Sequence, residues 1–493
     1  MRRSSRSRDT RRDRTNLGTR VRGRVRSEWS RERWLKAFAF AFAVASVAFA
    51  SLARSRSRVR ASTRGDEEKM TNNAGRVQVR ESSTAWRECA NAFGAKFLSE
   101  ERNRCAFERS TTGTFANEGR KPRLVERATT AALRMAFEKD ALLRRSGEKM
   151  VQHAHPAYHV VAGGSVERTV SLREFTERYL SADDVANVSF VFDSMSDVLN
   201  DRGLISKTTG KSIVPRRLAR AVDADRGVIP VLSIGGDGAG LSMHQHDATL
   251  LTLLHGYKLW IVASPEVVMP DFVFDSTHAY GYMLLEEMLK HRDDPSMRDV
   301  MWCVQPPNTA VYLPGHWWHA TVNLGEAVAF AEQLEGGFTP TPFGAAKQQK
   351  GRQRALTLAG HSRDYMFKGD LSRAIDTALE ALEADPLQVM AFFTLTESYA
   401  GKKDGVRAVK AMTDAAEAVR ELARRAKTPA PELYADSLLR IAYTLCDPLS
   451  TLASDAVKHG IAIIREALEA APTSLENNIL REALKKCAQS ADE

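Results

Sequence analysis

Cysteine is scarce in this 493-residue chain. Five residues are too few to staple a disulfide scaffold, so stability must come from a packed core, and the length is ample for one. Acidic side chains are nearly missing from one end. Residues 1–64 hold nineteen Lys/Arg against four Asp/Glu, a charge of +15, while the whole chain carries +10. The remainder is therefore −5. The basic pI belongs to the tail and gives no argument for a nucleic-acid-binding body. Apolar residues are almost missing from residues 1–36, which are rich in Arg and Ser and cannot bury enough surface to fold. A P-loop lysine is missing after the glycine-rich run Gly235–Gly240, and no helix opens there. That run reads as a tight turn or a close backbone approach, not a phosphate cradle.

What is present begins with Ala37–Ala53, seventeen residues without a charge, at the lower limit for a membrane-spanning helix. Fourteen basic residues precede it and five closely follow, so the positive-inside rule keeps the N-terminus cytoplasmic and the body lumenal. The expectation is a type II signal anchor of the secretory pathway, with the body in the ER/Golgi lumen. Two alternatives stay open: a secretory signal cleaved near Ala48-Phe49-Ala50, and an organellar transit peptide. The sequon Asn187-Val188-Ser189 agrees with a lumen. In an oxidising lumen Cys89 and Cys105 are the candidate pair; the alternative is that all five cysteines are free thiols.

The chain then divides into a polar stem (54–84), a helical part (85–155), a strand-rich part (156–337), a linker (338–351) and a helical, repetitive part (352–493). Trp86, Ala90, Phe93, Phe97 and Leu98 follow a helical period. His153, His155 and His159 read as a solvated loop, with metal binding as the alternative. Strands are expected at Tyr158–Ala162, Val228–Ile234, Leu250–Leu254, Leu259–Val262, Ala310–Leu313 and Ala327–Glu332. Helices are expected at Ser171–Leu180 and near Tyr280–His291, with a polar linker at Gly203–Arg217. Strong turn signals without βαβ alternation give an α+β fold class: a double-stranded β-helix, or cupin barrel, followed by an all-α domain.

Two stretches carry the chemistry. In Leu241–Val262, His244 and His246 lie two residues apart, which in a strand puts both imidazoles on one face and turns Asp247 away unless a bulge intervenes. Lys258 follows the turn residue Gly256 by two. In Thr309–Leu324, His319 follows the turn Pro314-Gly315. Two ligands close in sequence and one distant ligand suit a sheet-borne iron site with open positions. His316, Trp317 and Trp318 read as turn and barrel wall, His255 as a surface strand end, and His278 and His291 as part of an insert at 264–300.

The order His-x-His, Gly256-Tyr257-Lys258, then Pro314-Gly315-His316-Trp317-Trp318-His319 and Asn323 resembles the Jumonji C branch of the cupins. The secretory-pathway subfamily is the nearest likeness, in its His-x-His form, its WWHATxNL run and a segment like Arg104–Arg109, and Phe137–Leu143, followed by Gly147, looks like the helix that precedes the first strand of that family's barrel. The resemblance covers roughly Cys105–Leu334. It implies Fe(II) on His244, His246 and His319, and 2-oxoglutarate with its distal carboxylate on Lys258. Asn323 and Thr249 would be further cosubstrate contacts. The implied chemistry is oxidative decarboxylation of the keto acid coupled to C–H hydroxylation. Most active members have His-x-Asp or His-x-Glu. Here His246 either replaces the carboxylate, which strand alternation favours, or a bulge brings in Asp247.

Beyond the linker, Tyr365, Ala374, Ala378 and Ala381 recur as Tyr399, Ala408, Met412 and Ala415, a shift of 34 residues. This is the tetratricopeptide period, with small residues where helices pack closely. A third, degenerate repeat is expected at Arg465–Pro472; a plain helical bundle is the alternative. Three functions follow: a protein hydroxylase that docks its partner on the repeats, an inactive barrel serving as an interaction scaffold, and a small-molecule metal cupin. None requires nucleic acid.

Overall fold

The apolar stretches around the two histidine motifs become the longest strands. In a computed structural model, residues 85–110, 121–154, 168–180, 188–194, 198–199, 228–275, 281–334, 348–425, 437–438, 441–442, 444–445 and 456–470 are described. The tail, the Ala37–Ala53 run, the stem, Tyr158–Ala162, Gly203–Arg217 and most of the 338–351 linker lie outside them, as do Asn187, His155, His159 and His278. The chain divides into two units, Met1–Glu81 and Ser82–Glu493, and every described residue belongs to the second. Among the described residues no helix is long and apolar enough to cross a membrane.

The strands are β1 (Glu108–Ser110), β2 (Arg123–Glu126), β3 (Met150–Ala154), β4 (Arg168–Ser171), β5 (Phe190–Asp193), β6 (Val228–Gly235), β7 (Gly240–His244), β8 (Thr249–Ala263), β9 (Met301–Gln305), β10 (Thr309–Leu313) and β11 (Trp318–Leu334). The helices are α1 (Ala92–Glu101), α2 (Ala131–Ala136), α3 (Lys139–Ser146), α4 (Leu172–Arg178), α5 (Gly281–Lys290), α6 (Gly351–Phe367), α7 (Leu371–Ala384), α8 (Val389–Gly401), α9 (Gly405–Arg425) and α10 (Ala456–Ala470). The architecture is mixed α+β, compatible with a cupin-type barrel.

Strands β8 and β11 pair antiparallel along nearly their whole length, and each serves two layers. The first half of β8 pairs with β10 and its second half with β9. The first half of β11 pairs with β7 and its second half with β6. The bend between the halves falls at Gly256, whose φ is +77° and where a Cβ would stand 2.2 Å from the Glu326 carbonyl oxygen. Only glycine accommodates both demands. The larger layer runs β1-β2-β10-β8-β11-β6-β5-β3-β4; the smaller is β9-β8-β11-β7.

Alternation then sorts the side chains. Leu251, Leu253, Trp260 and Val262 of β8 pack in one cluster with Val311, Leu313 and Ala329. Leu259 and Ile261 turn the other way, against Phe97 of α1 and Leu285 and Met288 of α5. On the larger layer, Ile234, Val328 and Phe330 pack under Phe137, Leu142, Leu172 and Phe175. Each of these large buried side chains contributes about 1.5–3 kcal/mol relative to exposure.

Several expectations need correction. Trp86–Ala90 is not helical; the Asn91 side chain caps α1 by accepting from the Gly94 N–H, so the helix starts at Ala92. The expected Phe137–Leu143 helix is broken at Phe137-Glu138, between α2 and α3. Cys105 pairs with Cys303, 198 residues away, and Cys89 is free. His153 is not solvated: it is buried in β3, with its ring 4.4 Å from that of Tyr179, and donates Nδ1–H to the Ser189 hydroxyl oxygen, whose own proton goes to the Ala154 carbonyl. His255 lies mid-strand, half-buried, with Nε2 2.9 Å from the Arg134 carbonyl oxygen. The Gly235–Gly240 run does make close backbone approaches: a Cβ on Gly240 would stand 1.8 Å from the Thr321 carbonyl oxygen.

The C-terminal helices repeat at the 34-residue spacing in detail. Ala374, Ala378 and Ala381 are buried, as are Ala408, Met412 and Ala415. Gly369 and Lys403 both take positive φ at the turns. Asp370 and Asp404 both accept a hydrogen bond from the backbone N–H three residues on. Arg373 lies over the Tyr365 ring as Arg407 lies over Tyr399.

Candidate metal centre

Three imidazoles meet where β7 and β11 lie side by side. His244 ends β7 and is the ladder partner of His319 at the start of β11, where a register shift interrupts the pairing. His246 lies past the end of β7, in the loop to β8, so the loop and not strand alternation brings it in. That loop is tied to the Pro314-Gly315 turn: the His316 N–H donates to the His246 carbonyl oxygen at 2.8 Å. One potential ligand atom from each of His244, His246 and His319 lies within 4.8 Å of the other two.

The hydrogen bonds fix the protonation. His244 Nδ1 is 2.7 Å from the Ser242 carbonyl oxygen, His246 Nδ1 is 2.6 Å from that of Asp247, and His319 Nδ1 is 2.9 Å from that of Trp317. A carbonyl oxygen can only accept, so each Nδ1 carries the proton and each Nε2 presents a lone pair. The Nε2 atoms of His246 and His319 stand 3.1 Å apart. Two lone pairs at that distance repel unless a cation lies between them. Burial holds His319 well below the usual histidine range, and the neighbouring imidazoles push it further down. Burial also lowers His246. The donor set therefore fits a divalent transition metal, with the Nδ1–H bonds to backbone setting ring orientation.

Lys258 lines the same small cavity as His246 and His319. It is buried, burial pushes its pKa down to about 8, and its Nζ donates to Asn323 Oδ1 at 2.5 Å. The described lining residues include no carboxylate. A metal on three neutral imidazoles beside a buried ammonium makes a strongly positive site, suited in charge to a dianionic cosubstrate. The volume is another matter. The cavity has about 30 Å³, room for a water or two, and a five-carbon keto diacid needs several times that. The metal fits the residues as they stand; the keto acid fits in charge and not in space.

Thr249 also lines the cavity, but its hydroxyl donates to the Glu332 carbonyl oxygen at 3.0 Å. Asp247 is turned toward the Pro314-Gly315 turn, its Oδ1 3.7 Å from where a Cβ on Gly315 would stand, and is not in the three-imidazole cluster. Trp318 is buried against Phe274, as a wall residue would be. The sequence reading missed Gln305. Its Oε1 accepts from Trp260 Nε1 at 2.8 Å and its Nε2 bonds the Leu251 and Thr309 carbonyls, which fixes the indole 6.0 Å from the His319 ring. It missed Gln245 as well, though that residue stands inside the His-x-His motif.

No protein-family model matches the chain. The chain is similar to JmjC domain-containing protein 8 of Rattus norvegicus, 32% identical over 104 residues, which are 21% of this chain and 36% of the rat protein. The Mus musculus protein of that name is 29% identical over 104 residues, with the same coverage. The match thus spans little more than a third of either rodent protein. The Homo sapiens protein is 25% identical over 239 residues, 46% of this chain and 83% of the human protein. These similarities support a JmjC domain in the chain.

Proposed function

We propose that this chain is a JmjC-type oxygenase that uses Fe(II) and 2-oxoglutarate to hydroxylate a protein side chain. The observation that carries the reading is the meeting of three imidazoles, with the Nε2 atoms of His246 and His319 3.1 Å apart and each Nδ1 proton already spent on backbone. Such a cluster is held together at a cost unless a cation fills it. His244, His246 and His319 hold the metal, and Lys258 with Asn323 holds an anionic carboxylate. Trp260, fixed by Gln305, lies beside His319 with its ring centroid 6.0 Å away. Iron and the keto acid, once bound, would supply the oxidising chemistry, and the keto acid would need the 30 Å³ cavity to widen. The 34-residue recurrence supports tetratricopeptide-like repeats that dock the protein partner. The Cys105–Cys303 disulfide supports a body in an oxidising lumen, carried there by the Ala37–Ala53 signal anchor.

The 30 Å³ cavity favours a second reading, a barrel that keeps its metal as a structural element and acts as an interaction scaffold. One experiment separates the two. Anaerobic protein with Fe(II) and 2-oxoglutarate is examined for the visible metal-to-ligand charge-transfer band, with His319→Ala as control. A band in the wild type that is lost in the variant supports the oxygenase. Iron binding without the band leaves the scaffold or a small-molecule metal cupin, and no iron binding removes the metal from all readings.

A further inference from the structure

Gln245 sits between two of the clustered imidazoles, yet its side chain reaches a different part of the molecule. Its Nε2 donates to Thr357 Oγ1 of α6 at 3.2 Å. Thr357 has one hydroxyl proton and gives it to Gln349 Oε1 at 2.6 Å. Gln349 Nε2 then lies 3.4 Å from the Pro265 carbonyl oxygen, just beyond β8. Gln245, Thr357 and Gln349 are each 3% exposed or less. The direction of every bond is fixed, because the single Thr357 proton is committed and only its lone pair remains for Gln245.

The consequence is positional. The peptide units on either side of Gln245 carry His244 and His246, so an anchored Gln245 side chain leaves those units little freedom. From the other side, the His316 N–H holds the His246 carbonyl. A second glutamine near the start of the same helix, Gln353, bonds the Val267 carbonyl at 2.8 Å and the Met269 N–H at 3.1 Å. It fastens α6 to the same flank without touching the histidine loop.

We propose that Thr357 and Gln349 are positioning residues of the metal centre: through Gln245 they set how His244 and His246 meet. The first helix after the barrel is then a component of the site and not a separable docking module. The inference rests on the metal reading above.

The test uses the full chain and Co(II) as a spectroscopic probe. Affinity, the visible d–d spectrum and apo Tm are measured for the wild type, Thr357→Val, Thr357→Ser and Gln353→Met. Thr357→Val is expected to weaken Co(II) binding by up to about 10-fold, the low end of the range for a direct partner of a ligand because Thr357 acts one residue removed, and to change the spectrum. Thr357→Ser keeps the hydroxyl and restores both. Gln353→Met lowers Tm with the spectrum unchanged. If Thr357→Val does not fold, Gln349→Leu cuts the same relay one step further out and carries the same expectation. Wild-type affinity and spectrum in the relay variants would overturn the proposal, as would an equal spectral change in Gln353→Met. A wild type that binds no Co(II) overturns the metal reading itself, and is recognised by the absence of any spectrum.

Discussion

Two polar clusters of this molecule are built on opposite terms. At Asp237, donors surround one carboxylate. Oδ2 accepts from the Ala90 and Asn91 N–H groups at 3.0 and 2.8 Å, and Oδ1 accepts from the Gly325 N–H at 2.8 Å and from the Tyr282 hydroxyl. The Cys89 thiol adds a contact at 3.4 Å. Burial pushes that thiol up to about 11 and raises the Tyr282 hydroxyl further, so both stay protonated as donors. Charge and hydrogen bonds offset one another within the cluster. At His244, His246 and His319 the donors are spent on backbone and three acceptors face one another. The first arrangement is complete and holds the segment before α1, the glycine-rich turn, α5 and β11 together. The second gathers ligand atoms that a cation would join.

Loss of function and loss of stability should therefore separate between the clusters. The largest expected effect is His319→Ala on metal affinity, a fall of more than about 100-fold in a Co(II) or Fe(II) titration. The apo protein should lose no Tm, since one of three opposed lone pairs is gone. Wild-type affinity in this variant would end the comparison. Asp237→Ala should do the reverse. It strands three backbone N–H groups and should cost about 3 kcal/mol in urea denaturation, while the folded fraction binds metal as before. A stability change below about 0.5 kcal/mol would show that the carboxylate is not the hub its bonds imply.

These two clusters were not equally legible. The histidines were readable because two lie two residues apart in sequence and the third follows a marked turn. Asp237 was not, because its partners lie 45 to 148 residues away, on a coil segment, a helix and a strand that only the tertiary fold brings to one turn. The same cause hid Cys303, which faces Cys105 across 198 residues. The Trp86–Ala90 error had a local cause: the period was helical, but the Asn91 cap decided where the helix begins. The 34-residue shift was legible because Tyr365, Ala374, Ala378 and Ala381 have counterparts at Tyr399, Ala408, Met412 and Ala415, and the cap and the arginine-on-tyrosine contact recur with them.

Lys258 lies between the two cases: a buried donor whose Nζ bonds Asn323 Oδ1. Burial lowers its pKa from 10.5 to about 8. Between those values the unfolded chain holds a proton that the folded chain has released, so the lysine's contribution to stability rises with pH across that window. Below about pH 8 the charged group is a constant penalty. Lys258→Met should therefore be more stable than wild type by about 2 kcal/mol at pH 7, with the advantage shrinking toward zero as pH approaches 10.5. Denaturant melts at pH 7, 9 and 10.5 check this. An advantage independent of pH would mean that side-chain shape, not charge burial, sets the difference. A dicarboxylate that binds Lys258 should stabilise the wild type and leave Lys258→Met unmoved.

The smallest effect expected sharpens the metal side. Asp247 is the one carboxylate in the histidine loop, and the Jumonji C resemblance makes a carboxylate the expected second ligand of an active site. Its side chain faces the Pro314-Gly315 turn, while its carbonyl oxygen accepts from His246 Nδ1. On this geometry Asp247 acts through its backbone, which Asp247→Asn leaves intact. The substitution should change Co(II) affinity by less than about threefold, with an unchanged visible spectrum, because the Nε2 donors stay where they are. A tenfold loss with a shifted spectrum would mean that the loop turns over on metal binding and exchanges His246 for Asp247. The centre would then be two imidazoles and a carboxylate, one negative charge richer. The positive field argued for the cosubstrate would be weaker by that charge, and the contrast with the Asp237 cluster would narrow.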